Sequence, residues 1–126
     1  MAETRKIFGD PEIRVSATCI RVPVLRAHAV ALSAEFERPI APDEVRAILA
    51  EAPGVRLVDD PARNHFPTPN EASGQDDILV GRIRQDLSDP SGRSIAWFAA
   101  GDQLLKGAAL NAVQIAERLI TGSRSR

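Results

Sequence analysis

The chain has 126 residues, enough for one domain with a single hydrophobic core. Its 16 Lys and Arg are balanced by 17 Asp and Glu, so it lacks the positive excess typical of nucleic-acid-binding domains. No apolar run approaches the roughly 20 residues of a membrane span, and the first residues contain no apolar signal core. One cysteine excludes an internal disulfide, and no Cys/His cluster has metal-site spacing. We expect a cytoplasmic domain, residues 1–122, with a disordered tail, 123–126.

The first half of the chain predicts strands and one helix. Residues 13–22 alternate in polarity, and residues 28–38 alternate again, which predicts a hairpin of two strands. Pro42 suits the first position of a helix, and an apolar stripe with helical spacing follows it until Pro53. Residues 55–58 predict a short strand.

The second half of the chain predicts a hairpin and a long helix. Residues 59–77 are polar and proline-rich, which indicates a long loop. Residues 78–84 and 94–100 read as strands joined by a D-P-S-G turn, and an apolar helical stripe then runs from an N-cap at Asp102 to Gly122. The predicted fold is α+β, with an antiparallel or mixed sheet and two main helices packed on one face.

Two residues on either side of a proline stand out chemically. Arg21 and His28 are seven residues apart, as if they framed an anion site. The planar guanidinium of Arg21 can hold a carboxylate by two parallel hydrogen bonds, although the residues alone favour a surface ion pair with Glu35 or Glu37. His28 is suited to general acid or base chemistry, and its alternative interpretation is a purely structural role.

Four further polar residues have weaker signals. Glu3 and Lys6 share one face if the N-terminus is helical, which also fits a weak surface ion pair. Gln103 lies where a helix begins and can meet an anion or an amide there, although a plain helix cap explains the same sequence. Cys19 lies among apolar neighbours, so we expect a buried structural cysteine and not a nucleophile.

Several motifs in order resemble one enzyme family. E-T-R-K-I, C-I-R-V-P-V, V-G-R-I-R and G-A-A-L-N-A-V-Q together resemble aspartate-semialdehyde dehydrogenases. In that family NADPH reduces β-aspartyl phosphate to aspartate semialdehyde and phosphate, through a cysteine thioester, on the route to lysine, threonine and methionine. The resemblance implies part of the catalytic and dimerisation domain, and a homodimer.

The resemblance also implies a role for each candidate residue. Arg21 looks like the residue that holds the substrate carboxylate, and His28 looks like the catalytic acid and base. Glu3 resembles the ligand of the substrate amino group, and Lys6 resembles the phosphate-binding lysine. Gln103 lies where the family places a contact to the nicotinamide cofactor. No metal is implied.

Two features of the family pattern are missing from this sequence. There is no glycine-rich cofactor fingerprint and no N-C-[ST] nucleophile motif. We therefore expect NADP to be bound mainly by a domain outside this chain, and the chain to be inactive alone. Two alternatives remain open: a related acyl-phosphate reductase of the N-acetylglutamyl-phosphate type, and a non-enzymatic module that dimerises or binds a small acid.

Overall fold

The structure, a computed structural model, describes residues 2–122, so the predicted tail at 123–126 lies outside the described residues. It contains four strands, three helices before the C-terminal part of the chain, and a long helical segment at the end. In chain order these are α1 (Ala2–Phe8), β1 (His28–Glu35), α2 (Pro42–Ala50), β2 (Val55–Leu57), α3 (Pro69–Ala72), β3 (Ile78–Gln85), β4 (Ser94–Gly101), a π-helical segment (Leu105–Ala109) and α4 (Leu110–Gly122).

The strands form one mixed sheet in the order β1-β4-β3-β2. β4 pairs antiparallel with both β1 and β3, whereas β2 pairs parallel with β3. The α+β class with a mixed sheet is therefore confirmed. The predicted β3–β4 hairpin and the short strand β2 are confirmed too.

Hydrophobic side chains pack on both faces of the sheet. Neighbouring residues of a strand point to opposite faces, and Leu79 and Val80 accordingly join different clusters. On one face α2 contributes Val45, and on the other α3 contributes Ala72. The buried members are Val45, Val80, Ile83 and Ile95 in the first cluster, and Ala27, Ala72, Leu79 and Ala100 in the second.

The predicted strand at residues 13–22 is wrong, and so is the hairpin that depended on it. This segment has no strand pairing among the described residues, and β1 pairs with β4 instead. Ile20 and Val22 remain 76% and 59% exposed, and Cys19 is exposed where we expected burial. Alternating polarity indicates a surface suited to half-burial, but a strand forms only where a partner strand is present.

The second main helix also differs from the expectation. α2 packs on β2 and β3 as predicted, whereas α4 packs chiefly on the π-helical segment before it and not on a face of the sheet. The backbone at Ala108 is non-helical (φ −145°, ψ −105°), which breaks the single stripe that the sequence suggested. Four large apolar residues of α4 are more than half exposed; they are Val113, Ile115, Leu119 and Ile120.

The long loop after β2 is held by a buried carboxylate. The Asp59 side chain is almost fully buried, forms an ion pair with Arg46 (Nε to Oδ2, 2.8 Å) and accepts a hydrogen bond from the Arg82 amide (2.7 Å). Further along, the Thr68 hydroxyl caps α3 by accepting a hydrogen bond from the Glu71 amide (3.2 Å). The loop therefore has its own anchors despite its polar composition.

Gly81 in β3 allows this loop to lie directly on the sheet. A Cβ atom at this position would lie 2.0 Å from the Val58 carbonyl oxygen and 2.7 Å from Pro67 Cδ. Both neighbours are backbone or ring atoms that cannot swing aside, so only glycine fits.

We expect Gly81→Ala to lower the free energy of unfolding by about 2–4 kcal/mol, because the added methyl group forces the loop off β3. Gly107→Ala is the control, since its Cβ would meet only Gln103 Cβ at 3.6 Å, an ordinary contact. Urea unfolding followed by the fluorescence of the single tryptophan, Trp97, measures both. Similar losses in the two variants would contradict the close approach at Gly81.

Candidate functional site

Two of the predicted site residues lie at the same edge of the sheet. His28 is the first residue of β1 and is paired with Gly101, the last residue of β4. Gln103 follows Gly101 by two residues, so the chain passes from the partner of His28 directly to Gln103. His28 is exposed, whereas the Gln103 Oε1 atom is buried and has no hydrogen-bond partner within residues 2–122.

Asp102, between Gly101 and Gln103, has a fully buried carboxylate. Its Oδ2 atom accepts a hydrogen bond from the Gly74 amide (2.7 Å) and forms an ion pair with Arg26 (Nε to Oδ2, 2.6 Å). Its Oδ1 atom accepts from the Leu104 amide (2.9 Å). The carboxylate thus joins the residues before β1, the loop after α3 and the start of the C-terminal helical segment. The predicted helix cap at Asp102 is a small part of this arrangement.

The backbone just before His28 has an unusual conformation. Ala27 has φ +75°, a left-handed conformation that is uncommon for residues other than glycine. Its methyl group is buried against Ala72, Leu79 and Ala100. Because Arg26 precedes this turn and is paired with Asp102, the entry of the chain into β1 is fixed on both sides of Ala27.

The surroundings of Asp102 favour its ionised form. Burial by itself raises the pKa of the carboxyl, but the amides of Gly74 and Leu104 and the Arg26 guanidinium act in the opposite direction. The net result is a pKa below the ordinary 3.8 of aspartate. Asp102 is therefore an anion at neutral pH.

Arg21 lies in the exposed segment between α1 and β1. Across residues 2–122 its side chain makes no hydrogen bond or ion pair, so neither Glu35 nor Glu37 pairs with it. Glu35 instead pairs with Arg14 (Nη2 to Oε2, 3.6 Å) and with Arg93. The surface ion pair suggested as an alternative for Arg21 is therefore wrong, because other arginines are closer to that glutamate.

Glu3 and Lys6 lie on α1, which is helical as their spacing required. Both side chains are exposed, and no ion pair joins them in the described part of the chain. A hydrogen bond from Arg5 Nε to the Ile13 carbonyl (3.0 Å) connects α1 to the segment that follows it. The structure thus brings His28 and Gln103 to one edge, and it shows no contact linking Arg21, Glu3 or Lys6 to them.

Within residues 2–122 no group of three or more His, Cys, Asp and Glu side chains could hold a metal ion. None of the described helices is long and apolar enough to cross a membrane.

The sequence interpretation did not single out Arg26 and gave Asp102 only a local role. Asp102 carries a recognisable signal, an acidic residue between a strand and a helix. Two of the partners of its carboxylate, Arg26 and Gly74, come from distant parts of the chain, however, and Arg26 resembles any other surface arginine in the sequence. No local pattern identifies such a contact.

We expect the free energy of unfolding to fall as the pH drops from about 5 through 3.8 and below, because protonation removes the contacts of Asp102 and of other carboxylates with lowered pKa values. The sign follows from the lowered pKa: the contribution is present above the unfolded pKa and is lost in acid. Asp102→Asn should flatten this dependence, and Asp76→Asn, at an exposed position, should not. Urea titrations between pH 3 and 7 test this, and parallel curves for wild type and Asp102→Asn would contradict it.

Comparison with known proteins identifies the family. Residues 1–106 match the family described as semialdehyde dehydrogenase, dimerisation domain. The chain is 58% identical to an aspartate-semialdehyde dehydrogenase of Synechocystis sp. and 50% identical to one of Aquifex aeolicus; each match covers 94% of this chain and 34% of the relative. A crystal structure of aspartate semialdehyde dehydrogenase II from Vibrio cholerae, complexed with ASA, matches with a TM-score of 0.86 and 44% identity, over 95% of this chain and 34% of that one. The chain thus spans about a third of these relatives, and it belongs to the semialdehyde dehydrogenase dimerisation-domain family.

Proposed function

We propose that this chain supplies acid/base and substrate-binding side chains to an aspartate-semialdehyde dehydrogenase, which reduces β-aspartyl phosphate with NADPH and releases phosphate. The observation that carries the proposal is the edge formed by His28 and Gln103. His28, which can transfer protons, pairs with Gly101, and two residues further along the chain Gln103 has a buried Oε1 acceptor without a partner. The similarity over nearly the whole chain supports the choice of substrate.

Gln103 fits a contact to the cofactor. A buried carbonyl oxygen without a donor is costly, and the carboxamide of a nicotinamide ring carries N–H donors that would satisfy Oε1. Gln103 would therefore orient the ring, and the remaining contacts to NADP would come from sequence outside this chain. When bound, NADPH supplies the hydride.

His28 would act as the general acid and base at the reacting carbonyl. Its exposed imidazole at the start of β1 can accept the proton of an attacking thiol and return a proton to the departing group. In our proposal the attacking thiol belongs to sequence outside this chain. Cys19 is not assigned this role; it lies in the exposed segment before Arg21.

Arg21, Glu3 and Lys6 match the charges of the substrate. A guanidinium pairs with a carboxylate, a carboxylate pairs with an ammonium group, and a lysine ammonium pairs with phosphate. All three side chains are exposed, so they are accessible to a ligand. The combination of Arg21 and Glu3 suits a free amino acid better than an N-acetylated one, which favours the aspartyl substrate over the N-acetylglutamyl alternative.

A cytoplasmic homodimer accompanies this function in our proposal. β1 is an edge strand whose outer side has no partner among residues 2–122. Val30 and Leu32 on this strand remain 49% and 39% exposed, which leaves apolar surface for a second copy. The family description as a dimerisation domain supports this assembly.

We expect no NADP-dependent oxidation of aspartate semialdehyde by this chain alone, and activity when it is mixed with a separately expressed upstream portion of a related enzyme. Formation of NADPH in the presence of phosphate, followed by absorbance, is the measurement. Inactivity of a mixture whose chains are shown to be folded and associated would favour the alternative of a non-enzymatic dimerising or small-acid-binding module.

In the active mixture, Arg21→Ala should raise the KM for aspartate semialdehyde by about 10- to 100-fold, because a charge-assisted contact to the carboxylate is lost. Arg56→Ala is the matched control, since Arg56 is an exposed arginine on β2. Steady-state kinetics separate the two. Equal KM values for the two variants would refute the assignment of Arg21.

A further inference from the structure

We propose that Asp102 is a positioning residue that sets the location of His28 relative to Gln103, with Arg26 as its counter-ion. This inference rests on the proposed function, because only that function makes the relative location of His28 and Gln103 important for catalysis. The contacts of Asp102 described above do not depend on the proposed function. Asp102 touches neither residue through its side chain and acts through the backbone on either side of them.

The first connection runs from Asp102 to His28. Arg26 pairs with the carboxylate, and only Ala27 separates Arg26 from His28. Ala27 is locked by its left-handed conformation and by burial of its methyl group. Movement of Arg26 is therefore transmitted to the start of β1.

The second connection runs from Asp102 to Gln103. Gln103 lies between Asp102 and Leu104, and the carboxylate accepts a hydrogen bond from the Leu104 amide (2.9 Å). The Asp102 carbonyl also accepts from the amides of Leu105 (3.2 Å) and Lys106 (2.9 Å). The backbone on both sides of Gln103 is thus fixed by one residue.

The charge of Asp102 is essential to this arrangement. Its Oδ2 atom accepts a hydrogen bond from the Gly74 amide and forms the ion pair with Arg26, and its Oδ1 atom accepts from the Leu104 amide. An asparagine has a single acceptor oxygen: in the Oδ2 position it leaves the side-chain amide facing the Leu104 amide, and in the Oδ1 position it leaves the side-chain amide facing the Gly74 amide and Arg26. It also removes the negative charge that pairs with Arg26. Asp102→Asn should therefore release at least one of the connected segments, although it changes the size of the side chain very little.

The test uses NMR spectra of the 126-residue chain in four variants. Asp102→Asn and Arg26→Gln remove one partner each, Arg26→Lys keeps the positive charge, and Asp76→Asn is an exposed control. We expect the first two to move the His28 backbone resonance and the Gln103 side-chain amide resonances, Arg26→Lys to restore most of the wild-type positions, and Asp76→Asn to change neither. Methyl resonances of Val45 and Ile83, in the core on the α2 side, should stay unchanged.

Unchanged His28 and Gln103 resonances in a folded Asp102→Asn chain would overturn the proposal. Changes spread equally over the Val45 and Ile83 methyl groups would overturn it too, because they would indicate a general structural role. If Asp102→Asn does not fold, Arg26→Gln decides, since the Arg26 side chain is 40% exposed and its replacement leaves no buried cavity.

Kinetics of the complemented enzyme give a second readout. Asp102→Asn and Arg26→Gln should lower kcat by about 10- to 100-fold and leave the KM for aspartate semialdehyde nearly unchanged, because the acid/base group is misplaced while the substrate ligands remain. An unchanged kcat would overturn the positioning role. If the wild-type mixture is itself inactive, the proposed function fails, and the NMR result alone decides whether Asp102 sets the position of His28.

Discussion

The buried carboxylate of Asp102 is the contact on which the organisation of this chain depends. A charge removed from water is tolerated only when it is paired and hydrogen-bonded, and Asp102 meets this condition through Arg26, Gly74 and Leu104. Arg26 precedes β1 and Gly74 follows α3, so the carboxylate connects both segments to the start of the C-terminal helical segment at Leu104. The same carboxylate therefore connects the segments at one end of the sheet and, through Arg26, fixes the backbone next to His28.

The elements that were predicted correctly have partners nearby in the sequence. The strands of the β3–β4 hairpin are joined by its turn, and α2 packs on β2, the next strand along the chain. The segment 13–22 and α4 behave differently, because each has an apolar pattern without a matching surface among the described residues. A hydrophobic pattern specifies that a face suits burial, but it does not specify what will cover that face.

The candidate site shows the same division. The residue types of Arg21, His28 and Gln103 suggested their chemistry, and the resemblance gave each a role. Only His28 and Gln103 are brought to one end of the sheet, since His28 pairs with Gly101 and Gln103 follows Gly101 by two residues. Arg21 stays on an exposed segment, which is understandable in a chain that spans about a third of its relatives. Asp102 was not recognised as an organising residue because Arg26 and Gly74 are distant from it in sequence, whereas sequence patterns report neighbours.

Amide hydrogen exchange of the 126-residue chain tests this account most directly. Gly74 lies in an exposed loop, so its amide should exchange quickly unless it donates to the buried Asp102 carboxylate. We expect the Gly74 and Leu104 amides to exchange as slowly as those of the central strands β3 and β4. Exchange of Gly74 and Leu104 as fast as that of Asp76, an exposed neighbour in the same loop, would contradict the claim that one buried anion holds these segments together.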